Sequence, residues 1–217
     1  MDVETEYVHD EPEFEVRTKY TDIKDGKIWL NEGALRCDYE GGKLTFTDYF
    51  KKSEWKSLQF HFHAPAEHTI NGKTFDAEMH MVFKGETYEK ELAVVGLLYE
   101  VSEDAQDDPF LESLRLKELT KPKSENNGIN VSLTDLYNSL PSYENFHYQG
   151  SLTTPDYDEI VQWFLFTEPV KIPASQLKIM ADFWKGDKHE GCVKGNARHL
   201  QKLGSRIIHK IKHVHEG

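Results

Sequence analysis

The residues of this chain whose types and spacing could do chemistry are three histidines on two short alternating segments. Leu58-Gln59-Phe60-His61-Phe62-His63 alternates apolar and polar, and Asp76-Ala77-Glu78-Met79-His80-Met81-Val82-Phe83 does the same. In a strand, a period of two puts Gln59, His61 and His63 on one face and Leu58, Phe60 and Phe62 on the other. Glu78, His80 and Val82 likewise stand opposite Ala77, Met79, Met81 and Phe83. Paired as antiparallel neighbours, the two segments would set three imidazoles on one surface above a shared apolar side. Three neutral nitrogen donors, with a fourth position left to water, are the ligand set of a catalytic zinc ion. Gln59 and Glu78 fall beside them, where an acceptor fixes the tautomer of a ligating imidazole. Two histidines on the polar face of a half-exposed strand are ordinarily solvated side chains. The third, with a glutamate two residues before it, is what turns the pair into a ligand set. A cysteine-rich structural zinc site is excluded, because the chain has only Cys37 and Cys192, far apart.

The elements that must position these residues are mostly strands. From 28 to 50 the pattern predicts short strands with Gly33 and Gly41-Gly42 as punctuation. Leu92 to Tyr99 is a continuous apolar run, as in a central strand buried on both faces, and Ile160 to Phe166 reads as another strand. Asp107 to Leu119 reads as a helix, capped by Asp107 or Asp108 with Pro109 in its first turn. Thr120 to Asn130 reads as a polar loop, with Pro122 and Asn127-Gly128. Ser132 to Leu140 reads as a short helix stopped before Pro141, and Leu177, Met180, Ala181 and Trp184 have the spacing of a packed helix. The whole predicts a mainly β, single domain around a large twisted, mostly antiparallel sheet with short peripheral helices.

At 217 residues one domain is expected, and a net charge of -12 argues against nucleic acid or an anionic membrane as partner. No apolar run is long enough for membrane insertion. No signal peptide is visible at Met1, although a mature form without one would look the same. Residues 1–15 hold seven acids and neither lysine nor arginine, which predicts a mobile arm over 1–19 ahead of a domain over 20–217. At the other end, His209, His213 and His215 could bind a second metal, but a basic solvated tail is the simpler expectation. Asn130-Val131-Ser132 is a glycosylation sequon that matters only in a secreted protein.

Gln59-Phe60-His61-Phe62-His63, then Glu67-His68-Thr69, then Ala77-Glu78-Met79-His80 resembles the zinc signature of the α-class carbonic anhydrases. Tyr148-Gln149-Gly150-Ser151-Leu152-Thr153-Thr154-Pro155 resembles the family's second signature, and Asn196-Ala197-Arg198 with Gln201 and Arg206 its third. The match runs from about Trp29 to Arg206. The family is itself the type example of a three-histidine zinc enzyme, so that chemistry comes with the resemblance.

The resemblance implies zinc-dependent, reversible hydration of carbon dioxide to bicarbonate and a proton, by attack of a zinc-bound hydroxide. It assigns the metal to His61, His63 and His80. Thr153 would accept a hydrogen bond from the hydroxide and donate its own to Glu67, which a hydroxyl can do and an ionised carboxylate cannot. Without the first motif the Thr153 segment is a polar turn and Glu67 a surface acid. Val82, Val94, Leu152, Thr154, Val161 and Trp163 would line the substrate site, and core packing is the alternative for the apolar ones. The family's proton-shuttling histidine aligns with Ala34. Cys37 would lie nearby as a buried inert thiol. Sulfonamide-type and small anion inhibitors are implied as further ligands.

The family's usual N-terminal portion, with its Gln-Ser-Pro motif, is not found here. The side left open would suit a homo-oligomer or a protein partner. Neither cysteine sits where secreted members pair theirs, which points to a soluble cytoplasmic or organellar protein rather than a secreted one. Two other readings stay open. One is a non-catalytic carbonic-anhydrase-related binding or assembly module, whose known forms lack one or more of the zinc histidines. The other is a zinc hydrolase, for which no His-Glu-x-x-His helix is present.

Overall fold

The computed structural model describes residues 1–30, 33–86, 90–119, 123–184 and 192–216. The strands are β1 (Asp2–Val3), β2 (Val8–Lys19), β3 (Ile23–Leu30), β4 (Leu35–Asp38), β5 (Lys43–Thr47), β6 (Lys52–His63), β7 (Thr69–Ile70), β8 (Lys73–Thr74), β9 (Ala77–Gly85) and β10 (Leu92–Val101). They continue with β11 (Ser124–Val131), β12 (Glu144–Gly150), β13 (Val161–Phe166), β14 (Val170–Ile172), β15 (Cys192–Lys194), β16 (Ala197–Arg198) and β17 (Ile208–His215). Three short helices, α1 (Pro109–Ser113), α2 (Leu133–Asn138) and α3 (Ala174–Phe183), lie outside the sheets.

The principal sheet has 12 strands and is mixed, with parallel pairings of β10 to β13 and β14 and of β2 to β17. Its pairings close a circuit: β6, β9, β10, β13, β12, β17, β2 and β5, and back to β6. β10 lies between β9 and β13 and is buried on both faces, which is why Leu92–Tyr99 reads as an unbroken apolar run. One face of the sheet carries the larger core, with Phe60, Phe62, Met79, Met81, Phe83 and Phe164 among its members. Val82, Val94, Phe146, Tyr148, Val161 and Trp163 form a second cluster on the other face.

Several expectations are corrected. Val8–Lys19 is a strand and not a mobile arm, held between β17 and β5. Its inward residues Val16 and Thr18 are buried, and its acids meet cations: Glu15 meets Arg17 and Asp10 meets Lys210. Ladder hydrogen bonds on both sides of the strand outweigh the self-repulsion of its charges. The C-terminal stretch is likewise strand β17, paired with β12 and β2, with His213 buried rather than solvated.

Residues 124–131, expected as loop, form β11 along β3, with the register shifting around Gly128. Asp108 caps α1 through Leu111 N–H, but the helix is short because Arg115 is left-handed (φ 55°). In α3 the buried residues are Gln176 and Met180, followed by Trp184, while Ala181 faces out. Leu58 leaves the apolar face of β6, because the β6–β9 register skips it between Ser57 and Gln59. The expected turn residue Pro122 lies outside the described residues.

Candidate metal centre

β6 and β9 pair antiparallel with His61 opposite His80 and His63 opposite Glu78. Directly opposed residues share a face, so the three imidazoles meet. Their ring centroids are 5.0 Å (His61–His63), 5.2 Å (His61–His80) and 4.7 Å (His63–His80) apart. One donor atom of each lies within 4.8 Å of the others.

Each ring is held by its second nitrogen. His61 Nδ1 donates to Gln59 Oε1 (2.9 Å), His63 Nδ1 to the Asn196 carbonyl (3.2 Å) and His80 Nε2 to Glu78 Oε1 (2.7 Å). All three partners are acceptors, so each takes the ring proton. The lone pairs are thereby left on His61 Nε2, His63 Nε2 and His80 Nδ1. Burial pushes His61 well below the ordinary imidazole pKa, helped by His63, His80 and Arg36, and burial lowers His63 as well. Both are therefore neutral donors at pH 7. His63 Nε2 is buried without a hydrogen-bond partner among the described residues. An orphaned nitrogen among converging lone pairs is what an N3 cation site with one open position presents, and the donor set fits zinc.

The supporting shell comes from distant parts of the chain. Glu78 Oε1 also accepts from His68 Nδ1 (2.6 Å), and Glu78 Oε2 accepts the N–H groups of Glu67 and His68 (2.9 Å each). Burial alone would raise the Glu78 carboxyl; the adjoining His68 and His80 hold it well below the carboxylate range. His68 Nε2 meets Tyr148 Oη at 2.5 Å. Gly96 lies opposite His80, and a Cβ there would stand 3.3 Å from Glu78 Oε1 and 2.9 Å from Leu165. Asn196 accepts from Ala64 N–H (2.9 Å) and donates to the Phe62 carbonyl (3.0 Å), tying the β15–β16 hairpin to the end of β6. Gly195 makes that docking feasible: its φ is +60°, and a Cβ would lie 1.9 Å from the Ala64 carbonyl oxygen. Asn196 and His68 stand in the quoted signatures, but nothing in their local pattern assigns them a partner. Only the folded hairpin and the bend at 64–69 do.

The expected apolar residues come together. Val82 pairs with Val94, and Val94 with Trp163, across β9, β10 and β13, with Val161 two residues along and Leu152 packed on the same cluster. The Trp163 ring lies 4.8 Å from that of His80. Thr154 is on an exposed turn. Thr153 and Glu67 line one small cavity of about 30 Å³, but the expected hydrogen bond between them is not made. Glu67 Oε1 takes the Arg198 N–H (2.7 Å), and Oε2 has no partner among the described residues. Ala34 is half-buried immediately before β4. Cys37 is buried in the larger core, and burial pushes its thiol up to about 12. His9, His147 and His209 stand in register on the face of that larger core, opposite the triad.

Residues 1–212 match the family model for eukaryotic-type carbonic anhydrase. Carbonic anhydrase 4 of Mus musculus is 33% identical over 173 residues, 73% of this chain and 56% of that protein. The chain spans about half the length of several of the curated relatives it matches. The α-carbonic anhydrase of Thermovibrio ammonificans, solved with the inhibitor sulfanilamide, superposes with a TM-score of 0.75 at 25% identity, covering 96% of this chain and 84% of that one. Dioscorin complexed with ascorbate superposes with a TM-score of 0.81 at 22% identity, covering 99% and 85%, a likeness of fold alone. No helix among the described residues is long and apolar enough to cross a membrane. With three converging imidazoles on a sheet of this topology, and a family match along nearly its whole length, the chain belongs to the eukaryotic-type carbonic anhydrase family.

Proposed function

We propose that this chain catalyses the reversible hydration of carbon dioxide to bicarbonate and a proton, with zinc held by His61, His63 and His80. The observation that carries this reading is the tautomer arrangement. Each imidazole gives its proton to an acceptor behind it and turns a lone pair toward the other two. Zinc, on which the family depends, supplies a Lewis acid that makes water nucleophilic near neutral pH; carbonic anhydrase is itself the standard example.

The chain's own residues do the rest. Val82, Val94, Leu152, Val161 and Trp163 form an apolar wall beside His80 that suits a substrate with little to hydrogen-bond. Thr153, once its hydroxyl turns to Glu67 Oε2, accepts one hydrogen bond from the reacting oxygen and so orients it. Sulfonamide-type inhibitors and small anions would compete at the centre.

A carbonic-anhydrase-related binding module is the second reading, favoured by the unmade Thr153–Glu67 hydrogen bond. Stopped-flow carbon dioxide hydration with the zinc-loaded chain separates the two. Hydration that is lost on chelation and restored by zinc supports the enzyme. No rate above buffer with about one zinc bound per chain would reject it.

A further inference from the structure

We propose that Lys19, Lys43, Lys56 and Lys84 form a site for a small molecule carrying two or more linked phosphate groups. The four stand in a row across β2, β5, β6 and β9: Lys19 faces Lys43, Lys43 faces Lys56, and Lys56 faces Lys84. Directly opposed residues share a face, and like charges so placed repel. All four lysines are exposed, while Thr18, Leu44, Trp55 and Phe83 beside them are buried. Sheet packing alone does not call for lysine at four successive register positions, least of all in a chain with 38 acids against 26 basic residues.

The row borders an open cavity of about 590 Å³, the size of a small-molecule site. It lies where the sheet splits: β6 pairs with β5 up to Lys56 and with β4 from Gln59 on, leaving a gap at Ser57 and Leu58. The turn between β4 and β5 is tied to that gap. Ser57 N–H donates to the Gly42 carbonyl (2.9 Å), and Ser57 Oγ accepts the N–H groups of Gly41 (3.2 Å) and Gly42 (2.7 Å). Both lone pairs of this hydroxyl are thereby used, and its proton has no acceptor among the described residues. Ser57 is only 5% exposed and lines the cavity, where a ligand oxygen would take that proton.

The nearby acids do not neutralise the row. Lys43 lies 3.0 Å from Glu54 and 3.9 Å from Glu86, and Lys56 lies 2.6 Å from Glu86. Glu86 is thus shared by two lysines, and Glu54 also serves Lys52 at 3.1 Å. Lys19 has no ion-pair partner among the described residues, and Glu40 is the one other acid on the lining. Strands stand about 4.8 Å apart, so the row spans roughly 14 Å, too long for one carboxylate and suited to successive phosphates. An ammonium is a compact point charge, a common partner of phosphate oxygens. Lys84 follows His80 and Val82 at a period of two on β9. The row therefore lies on the triad's face of the sheet, roughly 13 Å from His80.

The test is calorimetric titration of the full chain with inorganic tripolyphosphate at pH 7.5 and low salt, with citrate as the carboxylate counterpart. Variants are checked for folding by circular dichroism, and every lysine replaced is exposed. Tripolyphosphate should bind wild type at a single site, more tightly than citrate, and weaken as salt is raised. Lys19→Gln, Lys56→Gln and Lys84→Gln should each weaken it roughly fivefold, what one close charge pair contributes in water. Glu86→Gln, which releases Lys43 and Lys56, should tighten binding, a change that damage to the fold would not produce. Lys178→Gln on α3 and His61→Ala should bind as wild type does. Absence of binding by wild type overturns the proposal, as does an equal loss in Lys19→Gln and Lys178→Gln. Binding that vanishes in His61→Ala would put the phosphates at the triad instead, and citrate bound as tightly would make carboxylate the ligand class; either overturns the site as proposed.

Discussion

His63 Nε2 and Glu67 Oε2 face each other at 3.5 Å, both buried and neither with a hydrogen-bond partner among the described residues. Leaving two such atoms unsatisfied costs about 1–3 kcal/mol each. Glu67 cannot move away freely, because its Oε1 is held by Arg198 N–H and its backbone by Glu78. On the reading proposed above, a cation on Nε2 and a hydroxyl from Thr153 on Oε2 complete both atoms at once.

The ligand assignment is checked by metal content. After dialysis against a chelator of moderate strength, wild type is expected to keep about one tightly held zinc. His61→Ala, His63→Ala and His80→Ala should each lose it with the activity. Full retention by His80→Ala would show that the triad is misassigned.

Glu78→Gln tests the support behind the ligands. The amide can still accept from His80 or His68, but it lacks the charge that both rings now share. Zinc affinity is expected to fall about 10–100-fold, as for other partners of ligating histidines. An unchanged dissociation constant in competition with an indicator would mean that Glu78 serves only the fold.

Thr153→Ala is expected to keep its zinc and lose hydration rate on the order of 100-fold, because one oriented polar contact at the reacting centre is gone. Wild-type turnover with intact metal would remove the Thr153–Glu67 pair from the mechanism.

On the reading proposed above, proton release should limit turnover unless His199, which lines the cavity with Thr153 and Glu67, carries the proton: Ala34 carries none, and His9, His147 and His209 lie on the opposite face of the sheet. Small imidazole buffers, with a pKa close to 7, should raise the rate strongly. Exchange of carbon dioxide with bicarbonate at equilibrium, which needs no net proton transfer, should respond less. Ala34→His should raise turnover in dilute buffer. Fast turnover without any buffer effect would mean that another group carries the proton.

Acid should destabilise the fold through two histidines far from the triad. Burial lowers His213 to about 3 and His147 to about 4. Both are neutral in the fold, whereas in the unfolded chain they protonate near pH 6.5. Unfolded chains then bind more protons, so stability is full above about pH 6.5 and falls as pH drops toward 4. Each histidine contributes roughly 1.4 kcal/mol per pH unit in that window. Urea midpoints measured from pH 7.5 to 4.5 give the slope, and a flat profile would count against neutral burial of these rings.

The alternation around His61, His63 and His80 was enough, from the sequence alone, to foresee two antiparallel strands, one shared face and three converging imidazoles. A period of two leaves a strand no other way to sort its side chains. The run Leu92–Tyr99 and the short helix beginning at Ser132 were legible for local reasons too. What tertiary structure alone decided is where sequence-distant backbone meets. Nothing local marks the Asn196 carbonyl as the partner of His63, because that contact depends on Gly195 letting a hairpin lie against Ala64. The acids of residues 8–19 and the histidines of 208–215 each read as solvated when taken alone. Only when β2 and β17 pair do their charges offset one another and their ladder bonds close the sheet. Local pattern reports which face a residue prefers; which strand lies alongside is settled by the hydrogen bonds and burial of the whole chain.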